Sequence, residues 1–222
     1  MPPLMIFAAG LGTRMRPLTD LCPKPLIEVA GRSLLDRALD LGRAAGAGPI
    51  VVNTHYLEAQ IERHLQGQDV ALSPEAGQIL DTGGGLRHAL PLLGEGPVMT
   101  LNPDVVWTGP NVLAALAGAW REDMDALLAL VPLDRATARQ GAGDFDLGPD
   151  HRLTRRGDFV YAGAQIIRPD RLGEIPDTAF SLNRLWDLLI AEGRVFGMVH
   201  PGGWCDVGRP QAIPLAEALL RG

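Results

Sequence analysis

Five apolar runs of strand length, LMIFAA (4–9), PIVVN (49–53), VALS (70–73), VMTLN (98–102) and DALLALV (125–131), alternate with stretches of helical pattern. That alternation marks an α/β protein built on a parallel sheet with helical crossovers. Helices are expected at 34–45 with Ser33 as N-cap, at 57–65, at 83–93 behind Thr82 as cap, and at 111–120. Leu34, Ala38, Leu41 and Ala45 recur on one face of the first helix. After Leu133 the rhythm changes. DFDLGPDHRLTRR reads as a hairpin turning at Gly148, Pro149 and Asp150, and FVYAGAQIIRP as a long strand. A helix (182–191), a strand (194–200) and a last helix (210–220) follow, with no linker or internal repeat.

The stretch AAGLGTRMRPLTDLCPKPL (8–26) leaves the first strand and gathers Arg14, Arg16 and Lys24 on a glycine-rich, proline-broken loop. The chain as a whole carries a net charge of −6. An acidic chain does not bind nucleic acid generally, because that affinity rests on clustered Lys and Arg, so the local charge suits a small anion. Loops at the carboxyl ends of parallel strands are where such folds take ligands. Gly10 and Gly12 allow backbone N–H groups to approach phosphate, Arg14 adds a fork of donors and Lys24 a mobile point charge. The loop is neither a Walker A motif nor GxGxxG, since Met15 stands where a third glycine would be. Arg16 is suited equally to a phosphate or to Asp20.

Cys22 and Cys205 have no metal-like spacing and read as reduced thiols. The N-terminal LMIFAAG is too short for a signal-peptide core, and no apolar run approaches the roughly 20 residues that span a bilayer. A cytoplasmic protein with neither membrane nor nucleic acid as partner is expected. His55, His64 and His88 read as surface or packing residues, and Trp204 as packing.

Further along lie SPE (73–75), DTGGGL (81–86), LNPDVVWT (101–108), GDFDL (143–147), YAG (161–163) and GGWCDVG (202–208). With AAGLGTRMRPLT and PKPL, this set resembles the sugar-1-phosphate nucleotidyltransferases over essentially the whole chain. Within them it is most similar to the short uridylyltransferases that act on N-acetylmuramic acid 1-phosphate. The resemblance implies a Rossmann-like mixed, mostly parallel sheet flanked by helices, with no C-terminal β-helix. It implies one domain over 1–222, with 1–133 taking the nucleoside triphosphate and 134–222 the sugar 1-phosphate. It also implies that Arg14, Lys24, Asp104 and Asp206 are catalytic, and that Asp104 and Asp206 hold Mg²⁺. The nucleotide would lie against Ala9, Gly10, Gly12, Thr13, Arg14, Lys24, Glu75, Thr82, Gly83 and Asn102, and the sugar against Asp144, Tyr161 and Gly163.

UTP is the nucleotide this resemblance implies, with mannose 1-phosphate and GTP, glucose 1-phosphate and dTTP, or phosphocholine and CTP as alternative pairs. A nucleotide-sugar sensor is the non-catalytic alternative. An acidic sugar calls for a cation near its carboxylate, for which Arg139, Arg155 and Arg156 are candidates. Two positions depart from the family pattern. Pro103 stands where a glycine usually precedes the first metal aspartate, and Arg209 where a threonine commonly follows DVG.

Overall fold

The first apolar run buries both of its faces. Leu4, Ile6 and Ala8 join one hydrophobic layer, while Met5 and Phe7 join another. A strand covered on both sides needs helices above and below it, which is the arrangement in the computed structural model, described here over residues 1–222. In chain order the strands are β1 (Leu4–Phe7), β2 (Glu28–Val29), β3 (Arg32–Ser33), β4 (Ile50–Thr54), β5 (Ala71–Pro74), β6 (Val98–Leu101), β7 (Val105–Trp107), β8 (Ala126–Pro132), β9 (Phe145–Leu147), β10 (Leu153–Arg155), β11 (Phe159–Ile167), β12 (Val195–Val199) and β13 (Trp204–Asp206). The helices are α1 (Leu34–Ala44), α2 (Glu58–Leu65), α3 (Asp81–Leu93), α4 (Val112–Ala119), α5 (Asn183–Ala191) and α6 (Ala212–Arg221).

One nine-stranded sheet runs β10-β9-β11-β6-β1-β4-β5, with β8 also paired to β11 and β12 outside β8. β6, β1, β4 and β5 are parallel, and β11 runs against both β6 and β8. The sheet is therefore mixed and mostly parallel. α1, α2 and α4 cover one face through Leu35, Ile61 and Leu113, and α3 and α5 cover the other through Leu86 and Leu185. The chain passes from β1 outward through β4 to β5 and then returns to β6 on the opposite side of β1. That reversal opens a crevice at the carboxyl ends of β1 and β6, where this class of sheet binds ligands.

Most element boundaries fall within a residue or two of the sequence reading, and the 145–155 hairpin pairs as expected. Three details differ. The buried stripe of α1 is Leu34, Leu35, Ala38, Leu39 and Gly42, while Leu41 and Ala45 are only half-buried, because the sheet lies beneath a face rotated from the expected one. Thr82 does not cap α3; it lies inside the helix, and its hydroxyl accepts from Leu182 N at 3.0 Å. The short pairing of β7 with β13 has no counterpart in the sequence reading, and it carries Val105 opposite Asp206.

Ser33 caps α1 as expected, its hydroxyl accepting from Asp36 N at 3.0 Å and donating to Asp36 Oδ2 at 2.7 Å. Asp36 Oδ1 meets His64 Nε2 of α2 at 2.8 Å. Burial pushes the Asp36 carboxyl up, but the bonds from Ser33 and His64 outweigh it and hold it below the usual carboxylate range. A lowered folded-state value means stabilisation that is complete above the unfolded value and is lost as pH falls through the folded one. Asp36→Asn is therefore expected to cost about 1 kcal/mol at neutral pH, judged by thermal melts. The deficit should shrink as pH falls below about 4, where the unfolded chain takes up the proton first, and vanish once pH has passed below the folded-state value.

Candidate active site

Two cavities meet at the crevice. The first, about 450 Å³, lies over the loop that follows β1, and the second, about 320 Å³, lies between β11, α5 and the hairpin β9–β10. Arg14, Asn102 and Asp104 line both, together with Phe7, Asp81 and Thr82, so the cavities share a wall.

Gly12 has a φ of +61°, and a Cβ there would stand 2.9 Å from both Lys24 Cβ and Thr19 Cγ2. Glycine lets the loop fold back on itself, with Lys24 packed against its backbone. Gly10 has open space where its side chain would be, so its contribution is access for a ligand. Lys24 Nζ forms an ion pair with Asp104 Oδ2. Arg16 pairs with Asp20 at 3.3 Å on the exposed side of the loop and lines neither cavity.

Asp104 follows β6, and Asp206 ends β13. The β7–β13 ladder and the bond from Val207 N to Asp104 O at 2.9 Å bring the two segments together. Pro103 lines the first cavity and leaves this arrangement intact. Burial pushes the Asp206 carboxyl up, and the neighbouring Asp104 pushes it further. Lys24, Arg14 and Arg139 pull it back. Gly208 keeps the space beside Asp206 free, since a Cβ there would sit 2.9 Å from Asp206 Oδ1. Arg209 is exposed, and its carbonyl accepts from Ala212 N at the start of the last helix.

No three His, Cys, Asp or Glu side chains gather to form an all-protein cation cage. Asp104 and Asp206 nevertheless fit a hard divalent cation, because Mg²⁺ takes one or two carboxylates and fills its shell with phosphate oxygens and water. Both residues line the second cavity.

Of the residues expected at the nucleotide, Ala9, Gly10, Gly12, Thr13, Arg14, Lys24, Glu75, Thr82 and Asn102 all line the first cavity. Gly83 does not. Its N–H and that of Gly84 donate to Phe180 O at 2.8 and 3.1 Å, and side chains here would overlap the Phe180 ring and the Thr178 carbonyl. These two glycines seat the 178–182 segment on the helix rather than face the cavity. Asp144, Tyr161, Gly163 and Asp206 line the second cavity. Asp144 has both oxygens engaged, by Arg139 Nη2 at 2.8 Å and Tyr161 N at 2.9 Å. Gly163, at φ +90°, forms a bulge in β11 and accepts from Asn102 N at 2.7 Å.

Arg155 lines the second cavity, with each of its three nitrogens donating once, to Asp187 and to the side chain and carbonyl of Asn183, and it lies against Phe145 and Trp186. Arg156 lies outside the lining. The histidines are structural, bonded to Glu75 O (His55), Asp36 (His64) and Pro74 O (His88), and Trp204 is buried with Nε1 on Ala162 O. The sequence reading missed Asn53 and Asp81. Asn53 is a polar side chain closing an apolar strand at its ligand-facing end, which is a usable signal. Asp81 adopts φ +60°, a backbone state uncommon outside glycine that no residue pattern announces.

Two cavities that share an arginine and an aspartate suit an enzyme that moves a nucleotidyl group between two anionic substrates, the class of the nucleotidyltransferases. The chain belongs to the MobA-like NTP transferase family, whose domain model matches residues 4–201. It is 43% identical to the N-acetylmuramate alpha-1-phosphate uridylyltransferase of Caulobacter vibrioides, over 97% of this chain and 96% of that one. It is 38% identical to the protein of the same name from Neisseria meningitidis, over 97% and 96%. Among solved structures, HddC from Yersinia pseudotuberculosis complexed with GMP-PN superposes with a TM-score of 0.79, at 20% identity over 99% of this chain and 100% of that one. This last likeness is one of fold.

Gly12→Ala is expected to lower the melting temperature and weaken nucleotide binding together, because a left-handed backbone with a Cβ costs roughly 1–2 kcal/mol before any clash. Gly10→Ala should melt as the wild type does and lose nucleotide binding alone, measured by calorimetry against the same triphosphate.

Proposed function

We propose that the chain transfers a uridylyl group from UTP to N-acetylmuramic acid 1-phosphate, forming the nucleotide sugar and releasing pyrophosphate. The observation that carries this reading is the shared wall of the two cavities, where one substrate's phosphates meet the other's between Arg14 and Asp104. The names and matching lengths of the two relatives supply the substrates.

In this reading residues 1–133 hold the nucleotide and 134–222 the sugar. Backbone N–H groups of Gly10, Gly12 and Thr13 cradle the triphosphate, and Arg14 neutralises the departing pyrophosphate. Lys24 lies between the phosphates of both substrates, and Asn102 meets the ribose side. Ala9, Glu75 and Thr82 border the nucleotide, and Gly83 contributes by seating the 178–182 segment. The anomeric phosphate attacks the α-phosphorus in line, so positioning and charge neutralisation provide the acceleration. Asp104 and Asp206 would hold Mg²⁺, which when bound neutralises charge on the phosphate oxygens.

Asp144 and the Tyr161–Gly163 segment border the sugar. Arg139 receives its lactyl carboxylate, because every nitrogen of Arg155 already donates to Asp187 or Asn183 whereas Arg139 makes one ion pair, to Asp144. No helix of the chain is long and apolar enough to cross a membrane. Cys22 and Cys205 are free thiols, and we place the enzyme in the cytoplasm, where UTP is made.

Pyrophosphate release should depend on added Mg²⁺ and be greatest with UTP and N-acetylmuramic acid 1-phosphate in a grid of triphosphates and sugar phosphates. Another preferred pair would replace the substrates, and UTP binding without release would mark a sensor. Asp206→Asn should lower kcat by at least about 100-fold with folding retained. Arg139→Gln removes a charged hydrogen bond worth about 1.5–3 kcal/mol, so KM for N-acetylmuramic acid 1-phosphate should rise on the order of 10–100-fold. Turnover of N-acetylglucosamine 1-phosphate, which lacks the carboxylate, should barely change; an equal loss with both sugars would remove Arg139 from carboxylate recognition.

A further inference from the structure

We propose that Asn53 and Glu75 are positioning residues that fix the distance between the two loops of the nucleotide cavity, an inference that rests on the functional reading above. Asn53 lies near the end of β4 and Glu75 just beyond β5, each only 3% exposed. Asn53 Oδ1 accepts from Ala8 N at 2.6 Å, where the phosphate-facing loop begins. Asn53 Nδ2 donates to Glu75 Oε1 at 2.6 Å, and Glu75 Oε2 accepts from Leu80 N at 2.7 Å, where α3 begins. The result is one continuous chain of hydrogen bonds from the first glycine loop, across two adjacent strands, to the loop that leads into α3.

The polarity of this chain dictates its residue types. Ala8 N, Asn53 Nδ2 and Leu80 N are all donors, so the residue at 75 must offer two acceptors, which a carboxylate does and an amide does not. The negative charge also lies at the N-terminus of α3, where the helix dipole favours it. Backbone bonds fix the pair further, since Glu75 N donates to Thr54 O at 2.8 Å and Glu75 O meets His55 Nδ1 at 2.8 Å.

Gly85, the last of the three consecutive glycines, belongs to the same device. A Cβ at Gly85 would stand 2.7 Å from Glu75 Oε1 and 3.0 Å from Asn53 Nδ2, so the helix carries glycine where it passes over the link. Asn53 and Glu75 form the floor of the cavity, but both have their polar atoms turned to each other and to the two loops. Their effect on a bound triphosphate therefore passes through where they hold Ala8 and Leu80.

Three variants test this: Asn53→Asp, Glu75→Gln and the two combined. The first sets carboxylate against carboxylate, and the second sets amide donors against a donor. The combination reverses the central bond, with the new amide donating to the new carboxylate while Ala8 N and Leu80 N keep their acceptors. Each single variant is expected to raise KM and the calorimetric Kd for UTP about 10-fold, as for loss of one buried hydrogen bond, with KM for the sugar 1-phosphate unchanged. The double variant should return to within about 3-fold of wild type. Gly85→Ala should act like the singles. The proposal is overturned if the singles bind UTP as wild type does, or if KM rises equally for both substrates. A double variant that is unfolded, or no better than the worse single, also overturns it. If the singles do not fold, the double variant alone decides. Failure of the wild-type chain to bind UTP would overturn the functional reading, and this role with it.

Discussion

Two carboxylates of like charge, Asp104 and Asp206, line one cavity from segments far apart in the sequence, and the ladder between β7 and β13 holds those segments together. Left alone they would repel, and Asp104 adds to the burial that pushes the Asp206 carboxyl up. The three-residue ladder between β7 and β13 supplies the force that joins them, and Lys24, Arg14 and Arg139 supply the compensating charge. All three cations sit on irregular segments rather than in regular strands or α-helices. The sheet provides a rigid edge, and the loops bring the cations to it.

This arrangement explains why an acidic chain concentrates basic residues after its first strand. The positive charge matches the two aspartates, and the ion pair between Lys24 and Asp104 joins the glycine-rich loop to the segment that follows β6. The glycines divide into kinds by the same logic. Gly12 and Gly208 make room for functional side chains, Gly83 and Gly84 seat a neighbouring segment, and Gly10 leaves space for a ligand.

The parallel core was legible because its strands are short apolar runs bounded by turn residues, and their burial on both faces leaves little else to fold into. Ser33 was legible as a cap because capping is local chemistry. The β7–β13 ladder was not legible, since each strand has three residues and gains its identity from a partner far away in sequence. Thr82 was misread for the same reason: its hydroxyl serves Leu182, a contact made only after the chain has folded. Nearly all the residues that the motifs singled out line one of the two cavities. Gly83 shows how a motif can single out a position whose contacts face away from the cavity, and Asn53 shows that a polar residue ending a buried strand merits attention before any motif is matched.

The central claim is that the two cavities are two halves of one site, joined at the aspartate pair. The most direct measurement is a crystal structure with the product, the uridine diphosphate sugar, and Mg²⁺. The account predicts uridine over the loop that follows β1, the sugar between β11 and α5, and the diphosphate with its metal at Asp104 and Asp206. A product lying wholly within one cavity, or a metal held away from both aspartates, would contradict it.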